Sequence, residues 1–150
     1  MSRNSDLYSE DFYTWSLTTA AAIRAGEWQD LDTQMLAEEI ESLGISQEHA
    51  LRSHLKQLFM HLLKWQYQPS RRQTGHSWAS TIVNARSEIA ELLERNPGLK
   101  QQVEPLLHKA YPTARRLAQL QTRLPLTTFP TPCPWTLEQV LDDDFFPEAD

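Results

Sequence analysis

Cysteine is almost missing from this chain: Cys133 stands alone among 150 residues. No intramolecular disulfide can form, so the fold must rest on packing, and a reducing compartment is expected. Glycine is scarce too. Gly26, Gly44, Gly75 and Gly98 are the only four, and they are scattered. That leaves no glycine-rich loop to cradle a phosphate and no elbow to present a nucleophilic serine. No window of about eighteen apolar residues is free of charge, which excludes a membrane-spanning helix as an expectation. The opening MSRNSDLYSEDF lacks the apolar run of a secretory signal. These absences point to the cytoplasm and away from membranes.

The most informative absence is acidic. The chain carries 20 Asp and Glu against 14 Lys and Arg, a net charge of −6. Yet His49 to Ser87 contains no acid at all. Arg52, Lys56, Lys64, Arg71, Arg72 and Arg86 lie inside it, with His49, His54, His61 and His76, and Glu48 and Glu88 bracket it. Such asymmetry marks a surface facing an anion or a partner. The acidic whole argues against bulk affinity for nucleic acid or anionic membranes.

What remains is helical pattern. Tyr8, Phe12, Trp15, Thr19, Ala22 and Ile23 form one stripe, predicting a helix over about Asp6–Ala25 with Gly26 after its end. Leu36, Ile40, Leu43, Leu51, Leu55, Leu58, Leu62 and Trp65 fall on one face of a second pattern whose phase does not reset at Gly44. Preserved phase favours one long helix over Thr33–Tyr67, with Gly44 as the place for a bend, against a break with Ser46 as a new cap. Phe59, Leu63 and Tyr67 lie opposite the stripe, so another segment or a second subunit must cover that side. Gln68-Pro69 ends this helix. Ser70 to Gly75 is a basic polar loop. The next helix starts near His76 or Ser77 and stops at Asn96-Pro97. Pro97–Leu124 also reads as helix, bent or divided by Pro105 and Pro112. Leu124–Pro134 is extended, and Thr136-Leu137-Glu138-Gln139 is a capping box for one last short helix. No segment alternates convincingly as a strand, and no internal repeat is visible.

The blocks DLYSEDFYTW, LAEEIESLG, HLLKWQYQP and FPTPCPWTLEQVLDDDFFP stand in this order along nearly the whole chain. In them the sequence resembles the bacterial family catalogued as domain of unknown function twenty-nine. The resemblance implies a small all-helical protein and lends no substrate, cofactor or reaction.

Three constellations carry the remaining chemistry. His54 and His61 share a face of a continuous helix, seven residues apart, and Glu39 projects to the same edge. Imidazole and carboxylate can bind a divalent metal or move a proton. However, no HExxH or Glu-x-x-His spacing is present, and Glu39 lies over ~30 Å from His61 along an unbroken helix. Lys64 and Trp65 group with Arg86 and Trp78; Arg86 lies near the rim of its helix's apolar face, and its acid-free surroundings require a carboxylate or stacking partner from elsewhere: Glu38, Glu39, Glu41 or Asp142 to Asp144. Arg71, Arg72 and Trp78 border the loop and offer an anion or partner surface. Cys133 packs between prolines, and the Asp142-Asp143-Asp144 run lacks the spacing of a calcium loop.

The expectation is therefore one all-α domain over residues 1–150. It is an antiparallel bundle of four to five helices, with a long central helix and a C-terminal segment wrapped across it. Function reads first as a non-catalytic interaction protein, binding a protein partner or itself and needing no cofactor. A metal-dependent or acid/base enzyme built on His54, His61 and a bundle glutamate is the first alternative. An anion or nucleic-acid binder using the basic 52–86 region is the second.

Overall fold

The computed structural model describes residues 3–72 and 78–149. Among them lie six α-helices and no strand: α1 (Arg3–Glu10), α2 (Phe12–Ala25), α3 (Thr33–Tyr67), α4 (Trp78–Arg95), α5 (Val103–Thr122) and α6 (Leu137–Leu141). The expected all-helical class holds. The residues pack as two compact units, 1–45 and 46–150.

In the first unit the single helix expected over Asp6–Ala25 is two. Asp11 leaves the helical region at φ −149° and caps α2, accepting from the Thr14 amide at 3.0 Å and the Thr14 hydroxyl at 2.6 Å. A capping carboxylate satisfies amides that the first turn leaves unpaired, so a new helix starts one residue after α1 stops. Gly26 closes α2 in the left-handed conformation at φ 73°, which a side chain would strain. Asp32 then caps α3 through the Met35 amide at 3.1 Å.

The long helix α3 is continuous through Gly44, as the preserved phase favours. It is the spine of the second unit, where Leu51, Leu55, Leu58, Phe59, Leu62 and Leu63 are all fully buried. The side opposite its main stripe is covered from within the chain. Phe59 meets Tyr111 of α5 edge-to-face at 5.3 Å, and Tyr67 meets Phe129 of the C-terminal segment at 5.5 Å. A second subunit is not needed there.

Helices α3 and α5 run in the same direction: Lys64 bonds Gln121 and Gln68 bonds the Thr122 carbonyl, while Thr113 lies beside His49–Lys56. The helix expected from Pro97 opens as a 3₁₀ turn over Pro97–Gln102 before α5 begins. Pro105 falls in the first turn of α5, where its missing N–H costs nothing. Pro112 stands inside the helix with its ring exposed. Thr136 and Gln139 form the expected capping box of α6. The expected start of α4 at His76 or Ser77 lies outside the described residues.

Candidate functional site

The C-terminal wrap is held by arginines that donate to backbone carbonyls. Arg86 is 2% exposed and donates from Nε to the Val140 carbonyl at 2.9 Å and from Nη2 to that of Gln139 at 3.5 Å. Its guanidinium lies 5.6 Å from the Phe146 ring centre. These carbonyls end α6, where the helix dipole is negative. Burial pulls the Arg86 pKa down, and the fields of Asp143 and Asp142 partly oppose it. The carboxylate contact expected for Arg86 is thus replaced by carbonyls, with the acids acting from further away. Arg72 donates to the Trp65 carbonyl at 2.7 Å and to that of Pro147 at 3.5 Å, and stacks 4.6 Å over Trp65. Arg115, which no sequence pattern singled out, donates to the carbonyls of Phe129 and Leu126, both at 2.8 Å.

Lys64 is buried beside these clamps. It donates to Gln121 Oε1 at 2.6 Å and lies 5.4 Å over the Trp78 ring, and desolvation lowers its pKa. Arg71 is exposed at the end of the turn after α3 and engaged in a further interaction. His61 shares a 2.8 Å hydrogen bond through Nδ1 with the Gln57 carbonyl one turn back. As the carbonyl can only accept, that nitrogen carries the proton. Burial first, then the nearby Lys64, hold its pKa below the usual histidine value, and the Gln57 bond opposes them. His54 is half-buried on the same helix.

Glu39 belongs to the first unit, where it accepts a hydrogen bond from the Tyr8 phenol. That bond, chiefly, raises the Tyr8 pKa. Glu39 therefore ties α1 to α3, while His54 and His61 lie in the second unit. Among the described residues no group of three His, Cys, Asp or Glu is placed to hold a metal ion. Nor is any helix among them long and apolar enough to cross a membrane.

The feature that the sequence did not announce is a groove in the first unit. Phe12, Trp15 and Ile23 of α2 face Leu36, Ile40 and Leu43 of α3 across a cavity of about 250 Å³. Phe12 is 51% exposed, Ile40 61% and Leu43 68%. Among the described residues of this unit only Trp15 and Ala22 are buried apolar residues. Thr19 also lines the groove, and its buried hydroxyl has no hydrogen-bond partner. Read as a helical stripe, these residues look like core; the stripe alone cannot say that the core is left open. Residues 1–45 also carry nine acidic residues against Arg3 and Arg24. The unit's net charge is therefore −7, while residues 46–150 hold 11 acidic against 12 basic residues.

The family model described as Domain of unknown function DUF29 matches residues 7–146, and the chain belongs to that family. No curated protein matches it. No solved structure matches it either.

Proposed function

We propose that this member of the DUF29 family is a non-catalytic interaction protein whose first unit receives a basic amphipathic helix of a partner protein. The observation that carries this reading is the open apolar groove between α2 and α3 in a unit with nine carboxylates and two arginines. An apolar groove between two helices is the receptor half of helix-in-groove recognition. Its large side chains are too clustered to count as scattered surface residues. Moving Phe12 or Ile40 from half-exposed to covered contributes about 1 kcal/mol each, half the value for full burial.

Charge selects the occupant. A second copy would set one strongly acidic unit against another, and like charges brought together disfavour the contact. A cationic helix gains from the same field in encounter rate and in orientation. Its apolar face would cover Phe12, Ile23 and Ile40, and its basic face would lie in the field of the unit's carboxylates.

The test uses the full chain and two labelled helical peptides, one of leucine and lysine and one with glutamate in place of lysine. Fluorescence anisotropy should show saturable binding of the cationic peptide, weakening with salt, and none of the anionic one. Ile40→Asp should abolish it. Binding of both peptides alike, or of neither, overturns the reading. So does sedimentation showing a dimer that Ile40→Asp dissociates, because the occupant would then be a second copy.

A further inference from the structure

A second cleft lies in the other unit, and its chemistry is the reverse of the groove's. His49, Arg52, Ser53 and Lys56 of α3 line it on one side and Thr113 of α5 on the other, around a cavity of about 300 Å³. The four α3 residues recur at one-turn spacing, so they share one face of the helix. On α5, Lys109 and Arg116 stand four before and three after Thr113, on the same face and exposed. Among the described residues, no side-chain hydrogen bond or ion pair is formed by His49, Arg52, Lys56, Lys109 or Arg116.

The fold makes this cleft out of two acid-free stretches. One is His49–Ser87. The other runs from Pro105 to Leu137, which also contains no Asp or Glu. Because α3 and α5 run in the same direction, the early turns of one stretch lie beside the early turns of the other. Four other cations of these stretches are used internally: Lys64, Arg72, Arg86 and Arg115 all donate to acceptors of the chain itself. Arg52 and Lys56 instead line the cleft.

We infer that the cleft between α3 and α5 binds a small, multiply charged anion of the phosphate class. Arg52 and Lys56 supply charge-assisted hydrogen bonds, His49 a ring N–H, and the Ser53 and Thr113 hydroxyls two neutral donors. The lining contains no Phe, Tyr or Trp, so it lacks the large stacking platforms that grip single strands and favours a compact anion over a nucleic-acid strand. Like-charged groups held together without counter-charges repel one another, and an anion relieves that repulsion.

The probe is inorganic pyrophosphate, titrated calorimetrically into the full chain at low salt. Saturable one-site binding is expected. It should weaken roughly tenfold or more in Arg52→Gln, whose side chain is exposed and outside the core, since charge-assisted hydrogen bonds carry at least that much. The double variant Arg52→Gln/Lys56→Gln should lose it. Lys100→Gln, which removes a cation elsewhere, should bind like the native chain. Absence of binding to the native chain, or equal binding by the double variant, overturns the inference. So does a twelve-nucleotide single-stranded RNA that binds far more tightly than pyrophosphate with the same dependence on Arg52. Ile40→Asp should leave pyrophosphate binding unchanged, which separates this site from the groove.

Discussion

A guanidinium buried to 2% exposure without a carboxylate in contact must be satisfied by other acceptors, because it keeps its charge and an unpaired buried charge is costly. Arg86 meets this condition with two carbonyls at the end of α6, and its Nη1 has no partner at all. Replacing it by alanine removes both bonds and the packing against Phe146 at once. Arg86→Ala should therefore lose about 2–4 kcal/mol in urea denaturation and expose the chain after Leu141 to limited proteolysis. Arg86→Lys should not restore the loss, since an ammonium cannot hold two carbonyls in a planar fork and lie against a ring. His61 supplies a second test. Burial lowers its folded pKa below the unfolded value, so the folded state resists protonation. The stability it contributes is complete above about pH 6.5 and is lost as pH falls through the folded pKa. Between pH 7.5 and 5.5 the urea midpoint of the native chain should fall, and His61→Gln should flatten that slope. An equal slope in both proteins would assign the dependence to other groups.

Helix α3 shows what sequence periodicity reads well. Its apolar phase ran unbroken past Gly44, and the helix does too, holding Leu36, Ile40 and Leu43 in register with Leu51 to Leu62 although only the later part of the stripe is fully buried. A methyl group added at Gly44 would meet no atom within 4 Å. Gly44→Ala should then raise stability by about 0.5–1 kcal/mol, by restricting the unfolded chain and improving helix propensity. Loss of stability instead would place a bend or an unseen contact at this turn. The break between α1 and α2 was less legible. Tyr8, Phe12 and Trp15 stay in contact as a ring cluster across it, so the stripe looks continuous although Asp11 has interrupted the backbone. Periodicity reports which side chains meet, and a single capping residue can divide the helix without moving them. The arginine clamps were hidden for a related reason. Their acceptors are main-chain carbonyls, which every residue has, so no residue type marks them in the sequence.

At the scale of the whole molecule, the two units differ in how much apolar surface they hide. Residues 51–63 of α3 supply a fully buried seam to the second unit, whereas the first buries Trp15 and Ala22 and leaves Phe12, Ile40 and Leu43 exposed. Local stability follows buried contact, and segments that bind partners come from the low end of that range. Backbone amides of α2 should accordingly exchange with deuterium much faster than those of Leu55–Leu63, at a pH where the chain is native. A ligand that binds only the folded groove stabilises it by mass action. Adding the leucine–lysine peptide in excess should slow exchange in α2 and in Leu36–Leu43, and leave Ile82–Leu92 of α4 unchanged. Uniform protection in the free protein would mean that the first unit already has all the cover it needs. Slowing that spreads equally over α4 would mean that the peptide acts on the second unit as well. The expected pattern, confined to α2 and the start of α3, would tie the open groove and the concentrated negative charge to one binding event.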